Sequence, residues 1–320
     1  MTVALVATGG TIASTPTAGA DAEPDLRGAD LVEAVPELGE LADLTVREFS
    51  AVPSPHFTVE RMHDLAGVVD ELDDDGRVTG VVVTQGTDVL EETAYFLDLC
   101  YDGDTPVAVT GAMRNPSLPG ADGPANLLAA VRAVSSPEAA DLGVLVAFND
   151  RLHAAREATK VHTTNPDTFR TPEFGPLGAV DEDRVVWYRS PTRTDPTFEV
   201  DPDRLTADVH AVTATAEMPP EQVAVAAEGD GLCLAATGAG HVPPGVVPAL
   251  EDLVAAGVPL VVTSRCPEGR LARNTYGFRG SEATLRELGA RYSDVNLQKT
   301  RIRTIVALAA GRLEAAFERP

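Results

Sequence analysis

Cysteine, lysine, aromatic residues and long hydrophobic runs are all scarce in this sequence of 320 residues. The three cysteines, Cys100, Cys233 and Cys266, lie far apart and form no CxxC pair. An odd number at this spacing indicates neither a disulfide framework nor a zinc site. We expect all three to be small, buried hydrophobic side chains.

No stretch approaches the roughly 18 to 20 consecutive apolar residues that a membrane-spanning helix needs. The strand-like run VALVA begins two residues after Met1. This leaves no room for the charged region and cleavage site of a secretory signal. We therefore expect a soluble, cytoplasmic protein that does not bind membranes.

Positive charge is also scarce, because 25 basic residues face 49 acidic ones and the formal net charge is −24. A surface of this sign repels phosphate groups, so neither nucleic acid nor an anionic membrane is an expected partner. One hypothesis for the acidity is adaptation to high salt, where screening relieves the self-repulsion. The alternative is the general composition of the source lineage.

Motifs of several catalytic classes are missing. The sequence contains no HExxH, SxxK or GxSxG, and its six histidines show no ligand spacing. Gly9 and Gly10 are followed by Ala13 near the position where a dinucleotide-binding loop needs its last glycine, and no Gly-Lys pair exists for a phosphate-binding loop. Zinc, serine-triad and nucleotide chemistry are therefore disfavoured.

Short β-branched runs alternate with helical patterns along the chain. The strand-like runs in the first part are VALVA, GVVVTQG, PVAVTGA and GVLVAF, and the helical ones are ADLVEAVPELGEL, VLEETAYFLDLC and GPANLLAAVRAV. Continuous apolar strands followed by about 10 to 15 helical residues indicate parallel strands that are covered on both faces. The sequence predicts a larger, doubly wound and mainly parallel α/β domain over residues 1–188.

A segment rich in Pro, Asp, Arg and Thr follows at 189–208 and has no periodicity, as is typical of a linker. After it the alternation resumes in HAVTATA, GLCLAATGAG, VPALEDLVAAG, VPLVVTSRC and TRIRTIVALAAG. We predict a second, smaller α/β domain over residues 209–320.

Threonine, glycine or serine stands where five of the apolar strands stop, in VATGGT, VTQGT, VTGAM, AATGAG and VVTSR. The carboxyl ends of parallel strands line the ligand crevice of an open sheet, and glycine there lets the main chain approach a small anionic ligand. The alternative is ordinary turn chemistry. In particular, Asp88 and Glu91 fit a helix-capping box.

Lys160 is the candidate base of this crevice. Only two of the 25 basic residues are lysines, Lys160 and Lys299, and Lys160 lies in the polar segment REATKVHTTNPDTF. A hydroxyl becomes a good nucleophile when a base removes its proton, and lysine can be that base whereas arginine cannot. A surface or structural lysine is the alternative, and it is the interpretation we favour for Lys299.

Six segments together resemble the bacterial-type L-asparaginases, in the order found in that family. They are TGGTIAS (8–14), QGTDVLEETAYFLDL (85–99), VTGAMR (109–114), ADGPANL (121–127), TKVHTT (159–164) and NLQKTRI (296–302). The resemblance covers nearly the whole chain. It implies an amidohydrolase that converts L-asparagine to L-aspartate and ammonia, with possible glutaminase activity and without a cofactor.

The resemblance also implies the roles of individual residues. Thr11 would be the nucleophile of an acyl-enzyme mechanism, and Thr87, Lys160 and Asp88 would form a second hydroxyl–base–carboxylate group. Asp88 would hold the substrate ammonium. The substrate-binding residues would be Gly10, Ser54, Pro55, Gly86, Thr87, Asp88 and Ala112. By analogy the protein would be a homo-oligomer, a dimer or tetramer, with the active site at a subunit interface.

The sequence departs from the family pattern at several positions. No tyrosine precedes Tyr95, so Thr15, Thr17 or Asp21 is left as a candidate to assist Thr11. Gln85 stands where histidine is common, Val89 replaces a threonine, and Pro55 replaces a glutamine. The segment CPEGRLARNTYGF is short, and Arg273 and Asn274 are the candidates there for completing a neighbour's site.

Two other functions use the same crevice. One is an amidotransferase subunit that releases ammonia for an acyl-tRNA partner, and the other is a catalytically inactive amino-acid sensor. The charge of −24 argues against the first, and the presence of Thr11, Thr87, Asp88 and Lys160 together argues against the second.

Overall fold

The chain divides into two units, Met1–Thr197 and Phe198–Pro320, in the computed structural model. The structure describes residues 1–16, 22–24, 26–191, 195–206 and 208–317. The division falls inside the segment 189–208 that the sequence indicates as a linker.

A mainly parallel eight-stranded sheet forms the centre of the first unit. The described strands of this unit are β1 (Thr2–Ala7), β2 (Ser14–Pro16), β3 (Ala22–Pro24), β4 (Asp43–Glu48), β5 (Val78–Thr84), β6 (Val107–Thr110), β7 (Leu145–Phe148), β8 (Arg151–Ala154), β9 (Thr159–Lys160), β10 (Phe169–Arg170), β11 (Gly178–Asp181) and β12 (Arg184–Trp187). The strands of the large sheet lie in the order β12-β11-β8-β7-β6-β5-β1-β4, and the last five in this order, β7 to β4, are parallel. The pairs β2–β3 and β9–β10 are separate antiparallel hairpins.

Helices pack against this sheet and explain why its central strands are apolar throughout. The described helices are α1 (Gly28–Glu33), α2 (Leu38–Leu41), α3 (Val59–Asp74), α4 (Leu90–Cys100) and α5 (Gly123–Val134). Every residue of β6 and β7 is buried, as are all but the first of β1. The predicted α/β fold is confirmed, but Pro36 interrupts the predicted helix ADLVEAVPELGEL, which forms the two short helices α1 and α2.

The second unit contains a parallel sheet of four strands that lie side by side in chain order. Its strands are β13 (Val209–Thr213), β14 (Gly231–Ala236), β15 (Leu260–Ser264) and β16 (Arg291–Tyr292), and its described helices are α6 (Glu221–Ala224), α7 (Val247–Ala255), α8 (Glu282–Glu287), α9 (Leu297–Ala309) and α10 (Leu313–Ala316). Asn296 caps α9 by accepting the Lys299 N–H, and α9 packs against β13, β14 and β15. The smaller α/β domain is therefore confirmed.

The cysteines only partly follow the expectation of burial. Cys233 is buried on β14, where its Sγ lies 3.3 Å from the Thr304 hydroxyl, and Cys100 is partly buried at the end of α4. Cys266 is exposed, because it follows the last residue of β15 in a loop. Within the described parts of the chain, no helix is both long and apolar enough to cross a membrane.

Candidate active site

Two glycines bring the ends of β1 and β5 into contact. A Cβ atom on Gly10 would lie 2.2 Å from the backbone nitrogen of Gly86 and 2.3 Å from its Cα. Since a real Cβ never comes so close to backbone, only glycine fits at position 10, where φ is also +85°. The sequence indicated close approach to a ligand. The structure shows that these glycines let two strand ends approach each other.

Thr11 follows this contact as the first residue of a short 3₁₀ turn, Thr11–Ala13. The Gly10 carbonyl accepts hydrogen bonds from the Ala13 N–H at 3.0 Å and the Ser14 hydroxyl at 2.8 Å. Ile12 and Ala13 are buried, whereas Thr11 is only partly so. The turn is thus anchored by its neighbours, and the Thr11 side chain is left accessible.

Thr87, Lys160 and Asp88 form a row of hydroxyl, amine and carboxylate. Lys160 Nζ donates to Thr87 Oγ1 at 2.9 Å and to Asp88 Oδ1 at 2.7 Å. The Lys160 side chain is 15% exposed and that of Asp88 is 59% exposed. Thr87 is buried. The predicted group therefore comes together, and Asp88 keeps a solvent-facing side with which it can pair a cation.

Glu91 fixes the backbone of Lys160. Its Oε2 accepts the Lys160 N–H at 3.2 Å across 69 residues of sequence, and the side chain is buried on the first turn of α4. No side-chain capping bond is made at Val89, the N-cap of α4. The capping-box interpretation of Asp88 and Glu91 is thus not realised, because both carboxylates contact Lys160 instead.

Ser54 braces the turn that presents Thr87. Its hydroxyl donates to the Gly86 carbonyl at 2.6 Å and accepts the Val89 N–H at 3.1 Å. A substrate carboxylate would therefore compete with the Gly86 carbonyl for the Ser54 proton. Pro55 follows on the same 3₁₀ turn, Ser54–His56, and is exposed.

Two polar side chains hold the loop after β6, which contains Ala112. Asp122 accepts the N–H groups of Met113 and Arg114 at 2.8 to 3.1 Å. Asn126 donates to the Gly111 carbonyl at 2.9 Å and accepts the Asn149 N–H at 2.8 Å. Ala112 is buried at this strand end, next to that of β5 in the sheet.

Both parts of the chain match known family models. The description "Asparaginase, N-terminal" matches residues 2–193, and "Glutaminase/Asparaginase C-terminal domain" matches residues 208–319. The chain belongs to the asparaginase family.

Relatives of this family extend over nearly the full length. The chain is 35% identical to an L-asparaginase of Bacillus licheniformis, with 96% of this chain and 95% of the relative covered. It is 39% identical to a probable L-asparaginase of Deinococcus radiodurans, with 97% and 93% covered. A crystal structure of a probable cytoplasmic L-asparaginase from Campylobacter jejuni is similar at a TM-score of 0.84 and 32% identity, covering 98% of both chains.

Several supporting residues were not among the predicted site residues of this family member. Glu91, Asp122 and Asn126 hold backbone groups of the site, and all three lie within the recognised motifs. A signal for one of them existed, because an asparagine inside the apolar helix GPANLLAAVRAV must be hydrogen-bonded if it is buried. The partners, however, could be identified only once the strand ends were placed.

The structure does not describe the side chains of the three candidates to assist Thr11. Thr17 and Asp21 lie outside the described residues, and the side chain of Thr15 is likewise not described. Arg273 and Asn274 are exposed in the second unit, where Arg286 Nη1 contacts the Arg273 carbonyl and Asn274 Oδ1.

Lys299 is buried at the start of α9, in the second unit. Among the residues that the structure describes, no three histidine, cysteine or acidic side chains lie together as metal ligands.

Proposed function

We propose that this protein is an L-asparaginase that hydrolyses L-asparagine to L-aspartate and ammonia through an acyl-enzyme. The observation that carries the proposal is the position of Lys160 Nζ, within hydrogen-bond distance of both Thr87 Oγ1 and Asp88 Oδ1. A hydroxyl, an amine and a carboxylate in a row are the parts needed to activate an oxygen nucleophile. The names of the full-length relatives support the same reaction.

Thr11 is the proposed nucleophile. Its hydroxyl oxygen attacks the side-chain amide carbon of asparagine, and the amide nitrogen takes up a proton and leaves as ammonia. Water then cleaves the Thr11 ester and releases aspartate. The accessible position of Thr11, on a turn anchored by Gly10, supports this role.

Lys160 is the proposed base for Thr87. In its neutral form, the amine can take the Thr87 proton along the same 2.9 Å contact. The Thr87 oxygen can then remove a proton from the attacking group. Asp88 stabilises the ammonium that Lys160 becomes, at 2.7 Å.

The charged groups of the substrate indicate which groups of the protein bind it. Asp88 is proposed to hold the substrate ammonium, since its carboxylate is more than half exposed. The backbone N–H groups of the Gly86–Thr87 turn are proposed to bind the α-carboxylate, and other backbone N–H groups of the lining are proposed to stabilise the developing oxyanion. Ser54 shapes that turn through the Gly86 carbonyl. Gly10, Pro55 and Ala112 complete the proposed lining.

We also propose a side reaction, a cellular location, an assembly state and an origin for the acidity. Glutaminase activity is a proposed side reaction, because one relative with 33% identity is a glutaminase-asparaginase of Pseudomonas fluorescens biotype A. We further propose a cytoplasmic homo-oligomer with the active site at a subunit interface, and adaptation to high salt as the origin of the −24 charge.

The two rival functions are less well supported. An acyl-tRNA amidotransferase subunit would have to bind a polyanion with a strongly negative chain. A sensor would bind amino acid without turnover, yet the row of Thr87, Lys160 and Asp88 provides chemistry that binding alone does not need.

The test is ammonia release from L-asparagine and L-glutamine by the purified full chain, in low and high salt. Wild type should turn over asparagine, and Thr11→Val, Thr87→Val and Lys160→Met should each lose at least about a thousandfold in kcat. Thr79→Val is the matched control, because Thr79 is exposed on β5 and far from the strand end.

Full activity of Thr11→Val or Thr87→Val would refute the assignment of that threonine. Aspartate binding without ammonia release by the wild type would favour the sensor, and a requirement for tRNA would favour the amidotransferase.

A further inference from the structure

Lys160 lies on a very short hairpin, and this makes its position sensitive to the loop that closes it. The strands β9 and β10 pair through only two residue pairs, Lys160 with Phe169 and Thr159 with Arg170. Two-stranded ladders of this length are not stable by themselves. The loop 161–168 must therefore contribute to holding the amine beside Thr87.

His162 organises this loop through one ring nitrogen. Its Nδ1 accepts the backbone N–H of Thr164 at 3.0 Å and that of Asn165 at 2.9 Å. A backbone N–H group can only donate, so Nδ1 must accept both hydrogen bonds with its lone pair. The single proton of the neutral ring is therefore on Nε2. The hydrogen bonds thus require the neutral imidazole in one tautomer.

Thr168 connects the His162 backbone to the other side of the loop. Its hydroxyl donates to the His162 carbonyl at 2.5 Å and accepts the His162 N–H at 3.1 Å. The Val161 N–H also donates to the Thr168 carbonyl at 2.8 Å. Thr168 is fully buried. Residues 161, 162 and 168 therefore form a clamp immediately after Lys160, and the His162 ring holds the tip of the loop to that clamp.

We propose that His162 is a positioning residue for Lys160, and that protonation of its ring releases the loop and lowers turnover in acid. This inference rests on the proposed role of Lys160 as the base.

Protonation removes the acceptor. A second ring proton on Nδ1 would face the N–H groups of Thr164 and Asn165, so both hydrogen bonds would be replaced by contacts between donors. Imidazole is the side chain suited to such a change between about pH 5 and pH 8. The loop would then lose two of the bonds that fix its tip.

No neighbouring carboxylate compensates for the added charge in the described residues. The charged groups of the hairpin are Lys160, Asp167 and Arg170, and Asp167 pairs with Arg170 and with Arg151 of β8. By contrast, His63, His210 and His241 each have a carboxylate within 4.0 Å. His162 itself is exposed to solvent.

The experiment compares two substitutions. His162→Asn keeps an acceptor, because an asparagine side chain accepts N–H groups two and three residues ahead without titrating. His162→Ala removes the acceptor. kcat and KM for ammonia release from asparagine are measured from about pH 5 to pH 8. His63→Asn on α3 is the control histidine substitution.

The alanine variant should lose about tenfold to a hundredfold in kcat at about pH 8, with little change in KM, as expected for a displaced catalytic amine, and its difference from wild type should shrink on acidification. The asparagine variant should recover most of that loss. The ratio of wild-type kcat to that of His162→Asn should fall on acidification, whereas the ratio for His63→Asn should stay constant. Parallel pH profiles of wild type and His162→Asn would overturn the proposed protonation effect, and wild-type kcat in His162→Ala would overturn the positioning role.

Amide hydrogen exchange gives a readout that does not depend on activity. The protection of the Thr164 and Asn165 amides should decrease in acid in the wild type and persist in His162→Asn. Unchanged protection in the wild type would also contradict the inference. Failure of the proposed function is distinguishable, since in that case wild type releases no ammonia, or Lys160→Met keeps full turnover.

Discussion

Gly10 and Gly86 touch through their backbones, at a distance that no side chain could occupy. Each glycine immediately precedes a threonine of the candidate site, Thr11 or Thr87. The contact therefore sets the spacing of the two threonines as well as the packing of the strand ends. Substituting either glycine should disturb the chemistry and the fold together.

Gly10→Ala should abolish asparagine turnover and lower the free energy of unfolding. Gly10 has φ +85° and ψ −173°, a conformation that is essentially restricted to glycine and costs other residues about 1–3 kcal/mol, and displacing the Gly86 backbone adds to this. The measurement is the denaturant midpoint together with kcat.

Gly76→Ala separates the two contributions. Gly76 also has a positive φ, +62°, but a Cβ there meets nothing within 4 Å. This control should show the cost of a positive φ without a clash, and it should retain activity. Equal effects of the two substitutions would show that the contact with Gly86 is unimportant.

Ser54→Ala should lower both stability and turnover. The substitution removes the donor to the Gly86 carbonyl and the acceptor of the Val89 N–H, and Ser54 is buried. Leaving such groups without a partner costs about 1–3 kcal/mol. Because Thr87 lies between Gly86 and Val89 in the sequence, kcat should fall by more than the decrease in the folded fraction explains.

Ser117→Ala is the control for the loss of a serine hydroxyl. Ser117 is exposed and bonds only to Asn115 within the described residues. The substitution Ser117→Ala should leave the unfolding midpoint and the kcat unchanged. A Ser54→Ala variant with normal kcat would exclude Ser54 as a brace of the site.

Asp195→Ala should destabilise the first unit strongly. Asp195 Oδ2 accepts the Tyr95 hydroxyl at 2.5 Å and Arg156 Nε at 3.0 Å, and the side chains of Asp195 and Arg156 are 5% and 6% exposed. Removing one partner of a buried ion pair costs about 3–5 kcal/mol, because the other charge stays buried. Thermal or denaturant unfolding of the full chain measures this loss.

Asp75→Ala is the matched control, since its ion pair with Arg77 is on the surface. Exposed pairs contribute little, so the unfolding midpoint should scarcely change. Similar midpoints for Asp195→Ala and Asp75→Ala would show that the buried pair does not stabilise the unit.

Most of the central sheet could be predicted because its strands are buried on both faces and appear as continuous apolar runs. The strands β8 to β12, of which β9 and β10 form a separate hairpin, could not be predicted, since they are two to four residues long and include Arg151, Lys160 and Arg184. Helix α3 was not among the predicted helices, although its buried residues Met62, Leu65, Ala66 and Val69 have helical spacing.

The candidate site, like the fold, could be predicted from the sequence only in part. The recognised motifs contained Thr87, Asp88 and Lys160, and in the structure Lys160 Nζ lies within hydrogen-bond distance of the other two side chains. Sequence could not give the partner of Glu91, because that contact spans 69 residues and competes with a local capping role. Nor could it indicate that Asp195, in a segment without periodicity, is buried against Arg156.

The acid sensitivity of the second unit should depend on Glu282, the first residue of α8. This side chain is fully buried, and its Oε1 accepts the N–H groups of Thr275, at 2.7 Å, and Tyr276. Burial by itself would raise the pKa of Glu282. The hydrogen bonds from Tyr276 and Thr275 outweigh it, so the pKa is lowered from the ordinary value of 4.5.

A lowered pKa in the folded state means that the unfolded chain binds the proton more readily. The stabilisation by Glu282 is therefore complete above about pH 4.5 and is lost as the pH falls through the folded-state pKa. Glu282→Gln should be less stable than wild type at neutral pH, and this difference should shrink on acidification. Glu251→Gln, at an exposed pair with Arg279 on the same unit, should show no comparable pH-dependent difference. A constant difference for Glu282→Gln between neutral and acid pH would mean that this carboxylate is not what couples the unit to pH.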